Sequence, residues 1–283
     1  MGEKELASLI ARVGDLPAMP AVAMKVMEMV GDQATSARAL QGIIQRDQAL
    51  TAKVLKIANS AMFGVSRDIT TLSHAIVMLG FSTIRSVVLA ASTKSIYFKC
   101  KGISGFSAKL LWEHSLAAAA IARRLAGRLD GVDVEESFIS GLLHDIGKSV
   151  LNVNFFDKYS EVIKETYNIG GDSVRVERRL LGFDHAQVGA MVVRKWNLAK
   201  GLEEAVRYHH NPRVAGEYPV LTATVALADE LANVLGKGAG KRPDWDMNSS
   251  AAVKMLSIRR ADLEELMEEA SGLMKDDEAM LSI

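Results

Sequence analysis

Apolar residues recur every three or four positions along almost the whole chain, and no stretch alternates apolar with polar residues as a half-buried strand would. That period confines the chain to helices that bury an apolar stripe against other helices. Stretch 3–13 sets Leu6, Leu9, Ile10 and Val13 on one face, and 21–30 does the same with Val22, Val26, Met29 and Val30. Between them Leu16-Pro17-Ala18-Met19-Pro20 is a bend. Thr35 or Ser36 can cap a third helix that runs towards Arg46, and Asp47 a fourth over 48–58. Further helices are predicted over 70–79 and 82–98 with a break at Gly80, then 107–129, 134–153, 156–167, 173–180, 184–196, 200–209 and 219–235. A polar, Gly- and Lys-rich loop (236–247) precedes two amphipathic helices, 249–256 and 261–274. Five prolines and few aromatics among abundant Ala, Leu, Val and Met agree with an all-α chain.

Length allows one large or two smaller domains. The segment KCKGISG (99–105) is the best joint, dividing an N-terminal helical lobe (about 1–100) from a core (about 107–236), with 237–283 as a C-terminal extension. Lys and Arg balance Asp and Glu at zero net charge, whereas a general nucleic-acid binder needs a positive excess, so no nucleic-acid partner is expected. The single cysteine, Cys100, rules out a disulfide framework and a thiolate zinc site. The N-terminal stretch lacks the apolar core of a secretory signal, and no run reads as a membrane span of roughly 18 apolar residues. A cytoplasmic setting is expected.

The chemistry is concentrated in the histidines. Five of the six fall at 114, 144, 185, 209 and 210, each on an inward helix face, where an unpaired polar group is costly. His144-Asp145 lies in the apolar run FISGLLHDIGKSVL, with Lys148 placed to pair with Asp145 or to neutralise a phosphate oxygen. His114 stands among Leu110, Leu111, Ala117 and Ala118. His185 heads an apolar stripe behind a predicted N-cap, Asp184, and His209-His210 end LEEAVRYHHNP. Asp229 interrupts VLTATVALADELANVL, while Glu230 falls on another, solvated face. Alone, each reads as an ordinary core or capping residue. Together they make a nitrogen and oxygen ligand set in a helical bundle, suited to iron or manganese, or to zinc or magnesium, as one or two ions. His74 stands apart and reads as a cap or core hydrogen bond.

Six ordered stretches resemble one family: LPAMPAVAMKVMEMV, IIQRDQALTAKVLKIANSAMFG, AIVMLGFSTIRSVVL, GLLHDIGK, FDHAQVGAMVVRKWNL and AVRYHHNP. Over roughly residues 15–235 the chain is similar to HDOD proteins, a branch of the HD metal-dependent phosphohydrolase superfamily found in bacterial signalling proteins. The resemblance implies an all-α fold with an N-terminal lobe on an HD-type core. It also implies that His114, His144, Asp145, His185, His209, His210 and Asp229 follow the ligand order of the related HD-GYP phosphodiesterases, with Lys148 as the phosphate-facing lysine. Many HDOD proteins look like HD enzymes that have lost ligands, whereas this chain keeps a nearly full set. No Gly-Tyr-Pro run follows His209-His210, only Asn211-Pro212-Arg213, which argues against cyclic-di-GMP hydrolysis and leaves metal binding untouched.

Two functions follow. One is a signalling or regulatory protein with a metal-bound HD core, acting through a protein partner or a nucleotide ligand. The alternative is a working phosphohydrolase on a nucleotide or cyclic dinucleotide, with a metal-bound water as nucleophile, Lys148 on the phosphoryl oxygens and Asp145 bridging metals or orienting the water. The C-terminal apolar positions Met255, Leu256, Leu263, Leu266 and Met267 can pack on their own chain or form a homodimer.

Overall fold

The computed structural model describes residues 11, 13–65, 68–100, 108–169, 173–237 and 245–276. All of the expected helix 3–13 except Ala11 and Val13, and most of the joint 99–105, lie outside these residues. Among the described residues there are helices and turns and no strand. The chain divides into two compact units, Met1–Ala18 with Ile96–Met267, and Met19–Ser95 with Glu268–Ile283.

The smaller unit contains α1 (Ala21–Val30), α2 (Ala37–Ile44), α3 (Gln48–Ala58) and most of α4 (Leu72–Tyr97). Ser36 and Asp47 cap α2 and α3 as predicted, their side chains accepting from the amides of Ala39 and Leu50. Val26, Leu40, Ile44, Val54 and Ile57 supply its buried apolar positions. Asn59 braces the link that follows α3. Its Nδ2 donates to the carbonyls of Leu55 and Ile69, and its Oδ1 accepts from the Ile69 amide. Gly80 interrupts α4 with φ 78° and ψ 167°, a conformation that a side chain would strain. This is the break expected at that residue. By length and composition α4 is the one described helix able to cross a membrane, where the sequence leads one to expect no such run. More than half of its apolar window is buried within the protein, as in a core helix.

The larger unit holds α5 (Ala108–Ala126), α6 (Val134–Leu143), α7 (Ile146–Asn154), α8 (Phe156–Ile169), α9 (Ser173–Leu181), α10 (His185–Lys195), α11 (Lys200–Tyr208), α12 (Pro219–Val234) and α13 (Ala251–Leu256), and the start of α14 (Arg260–Asp276), as far as Met267. α5 packs against both α6 and α12, α10 against α7 and α11, and α11 against α12. Small residues let these axes approach closely. A Cβ on Gly141 would sit 2.9 Å from the Ala118 carbonyl oxygen, so α6 lies directly on the alanine run of α5. A Cβ on Gly147 would fall 1.9 Å from the His185 carbonyl oxygen, and one on Gly189 2.9 Å from Val206 Cγ1. Those contacts stack α7, α10 and α11.

The single helix expected over 134–153 is two helices. His144 ends α6, and Asp145, with φ −102° and ψ 8°, starts α7. The Tyr97 hydroxyl donates to the Leu142 carbonyl just before this break. At the other end of α7, Asn154 Nδ2 donates to the Val13 carbonyl at 2.8 Å. Trp196 Nε1 donates to the Pro17 carbonyl, which fastens segment 13–17 to the same unit. α13 packs on α12, and Ala252, Val253, Leu263 and Leu266 are buried.

Candidate metal centre

Five of the seven residues singled out as ligands sit at helix ends. His144 and Asp145 occupy the α6–α7 break, His185 is the first residue of α10, and His209 caps α11 with His210 next to it. His114 and Asp229 come from the interiors of α5 and α12. Asp184 is the predicted N-cap of α10 and completes a reciprocal capping box with Gln187, which fixes the angle at which His185 enters. Lys148, expected to face phosphate or to pair with Asp145, donates its Nζ to Asp145 Oδ2 at 2.7 Å. His74 is half-buried on α4 in the smaller unit.

All seven residues converge in the larger unit as two groups. His114, His144 and Asp229 form one, and Asp145, His185, His209 and His210 the other; within each group the ligand atoms lie within 4.8 Å of one another. Asp145 faces both. Its Oδ1 is 3.1 Å from His185 Nε2 and 3.9 Å from His209 Nε2. Its Oδ2 is 3.5 Å from the Nε2 atoms of both His114 and His144. Asp229 Oδ1 lies 3.1 Å from His114 Nε2 and 3.7 Å from His144 Nε2.

Four rings are oriented from behind. The Nδ1 atoms of His114, His144 and His209 each lie 2.7 Å from a backbone oxygen, those of Lys237, Gly141 and Val206. His185 Nδ1 lies 2.7 Å from Glu177 Oε2, which also accepts from the His185 amide. A carbonyl or carboxylate oxygen can only accept, so each Nδ1 is the donor. The neutral ring then turns a lone pair on Nε2 into the cluster. Yet His114 Nε2 is 3.2 Å from His144 Nε2, and His185 Nε2 is 2.9 Å from His210 Nε2. Two lone pairs so close repel unless a proton or a cation lies between them. Asp145 Oδ1 and His209 Nε2 are moreover buried with no hydrogen-bond partner among the described residues. Inward lone pairs, orphaned buried acceptors and an imidazole–carboxylate donor set fit a divalent cation in each group.

The electrostatics agree. Burial disfavours the charged form of His144, but Asp145 and Asp229 outweigh it and carry the ring up to about 10. Burial opposes charge on His185 too, and Glu177 and Asp145 raise it to about 9. His209 moves down to about 3, because burial is reinforced there by His144 and His185. Burial works against ionised Asp145 and Asp229, yet both stay well below the carboxylate range. Lys148 and His144 hold Asp145 there, and hydrogen bonds from His114 and His144 hold Asp229. The ionised carboxylates beside His144 and His185 thus favour positive charge at both groups.

The sequence profile of the HDOD domain matches residues 16–212. The chain belongs to the HDOD family. An HDOD domain protein of unknown function from Geobacter sulfurreducens shares its fold, with TM-score 0.84, 24% identity and 96% of each chain covered. A candidate phosphohydrolase from Shewanella amazonensis SB2B is 26% identical with TM-score 0.78, over 98% of this chain and 97% of that one. An uncharacterised protein of Treponema pallidum (strain Nichols) is 25% identical over 232 residues; these are 80% of this chain but only 44% of that relative.

Some residues of this HDOD site escaped the sequence reading. Glu177 is fully buried and orients His185, but it lies eight positions upstream in a strongly charged stretch, SVRVERRLL, where an acid looks solvated. Its carboxylate also accepts from the Tyr159 hydroxyl at 3.4 Å. Glu230, read as solvated, is half-buried and accepts from Trp245 Nε1 at 2.9 Å. Replacing Glu177 by Gln is expected to weaken metal binding by about 10–100-fold, the usual effect of losing an outer carboxylate partner. Calorimetric titration of metal-stripped protein with Mn²⁺ measures it, and unchanged affinity would show that the backbone alone orients His185.

Proposed function

We propose that this HDOD protein is a metal-dependent phosphohydrolase acting on a nucleotide-type phosphoester, with two divalent ions held by His114, His144 and Asp229 and by Asp145, His185, His209 and His210. The observation that carries this reading is the pair of ligand groups, with Asp145 in one of them and its Oδ2 3.5 Å from the two histidines of the other. The likeness along the whole chain to the Shewanella candidate phosphohydrolase supports it. Iron or manganese suits a set of five imidazoles and two carboxylates best, with zinc or magnesium as weaker matches. Divalent ions there would supply Lewis acidity towards phosphoryl oxygens and lower the pKa of water. The chain's own part is to aim five rings, to keep Asp145 and Asp229 ionised, and to hold Lys148 beside Asp145 Oδ2 as a local positive charge.

The second reading is a regulatory protein that binds a phosphoester at the same centre without turning it over. The engagement of Lys148 with Asp145, leaving it short of a phosphate-facing role, favours it. Protein loaded with Mn²⁺ or Fe²⁺ and offered phosphomonoesters, phosphodiesters and cyclic dinucleotides separates the two. Turnover abolished by chelation and restored by metal is expected. Full metal loading with no turnover across the panel would leave the regulatory reading.

A further inference from the structure

The ligand groups open on a cavity of about 420 Å³ whose wall includes His209, His210, Asp229, Arg178, Arg207 and Asn211. Most charges around it are already answered. Asp229 faces His114 and His144, Arg178 donates its Nε to Asp184 Oδ2 at 2.6 Å, and Glu230 accepts from Trp245. Arg207 is the exception. It stands at the end of α11, two residues before His209, with its Cζ 5.6 Å from the Tyr208 ring centroid. The acids one turn back on its helix are engaged elsewhere, Glu203 with Arg194 and Glu204 with the amides of Glu217 and Tyr218. Its Nε and Nη1 are buried and have no acceptor among the described residues. A guanidinium does not shed its proton, so buried donors of this kind call for an anionic acceptor, and their fork matches a phosphoryl group.

We infer that Arg207 forms a second anion subsite beside the metal centre, so that the ligand is a phosphoester carrying a further phosphoryl group: one group at the ions, the next on Arg207. This deepens the phosphoester reading above and rests on it. A nucleoside diphosphate or a linear dinucleotide has this form, whereas a simple phosphomonoester lacks the second group.

Calorimetry on desalted, Mn²⁺-loaded protein with AMP and ADP as probes tests it. The wild type is expected to bind ADP about tenfold or more tighter than AMP, the worth of a charge-assisted pair of hydrogen bonds. Arg207→Gln should erase that preference while metal content, melting temperature and AMP affinity stay as they were. Arg207→Lys keeps the charge but not the fork, and it should lose most of the preference; it serves if the glutamine variant fails to fold. An ADP preference that survives in the substituted protein would overturn the subsite and leave the phosphoester reading standing. Failure of the loaded wild type to bind either nucleotide would overturn both.

Discussion

Asp145→Asn is expected to yield folded protein that loses both ions, with metal affinity falling by well over about 100-fold, since outer partners alone are worth about 10–100-fold. The size of the effect follows from geometry. Asp145 is the only one of the seven candidate ligands whose oxygens face both groups, Oδ1 towards His185 and His209 and Oδ2 towards His114 and His144. Asparagine keeps the shape but removes the charge, leaving Asp229 as the sole carboxylate against two cations. It also strips the buried Nζ of Lys148 of its ionic acceptor. Elemental analysis of purified protein, with circular dichroism as a check on folding, measures the outcome. Metal content near that of the wild type would refute the shared role of Asp145. Loss confined to one ion would place it in a single group.

Gly147→Ala should be the most damaging substitution outside the ligands. The added methyl would lie 1.9 Å from the His185 carbonyl oxygen and 2.8 Å from the Gly189 amide nitrogen. Both are backbone atoms, so rotamer changes cannot relieve the clash, and α7 and α10 must separate. Overpacking with flexible neighbours costs about 1–3 kcal/mol, and a collision between rigid helices belongs at or above roughly 3 kcal/mol. A fall in melting temperature on the order of 10 °C is expected. Because His185 starts α10 and Asp145 starts α7, metal binding should weaken along with stability. A variant that melts like the wild type and binds metal normally would contradict this packing.

The fold and most of the site were legible in the sequence because both rest on local pattern. Periodic apolar residues mark the helices, Ser36, Asp47 and Asp184 mark their starts, and polar residues inside apolar runs mark the inward candidate ligands. Two kinds of feature were not legible. The α6–α7 break interrupts an apolar run with no Gly or Pro at the ends it separates, since His144 and Asp145 carry the turn themselves. The partners behind the rings are remote or anonymous. Glu177 is hidden among arginines, and the oxygens that hold His114, His144 and His209 belong to backbone, where any residue type would serve. The role of Arg207 depends on what surrounding helices leave unpaired, which spacing cannot reveal.

Most of the candidate ligands lie at helix junctions. His144, Asp145, His185, His209 and His210 stand at the junctions of the helices they border, while Gly141, Gly147, Gly189 and the alanine run of α5 set how closely those helices approach. Which side chain stands at a junction and how closely the helices approach are therefore set by different residues. The same helical frame can thus carry different side chains at its junctions.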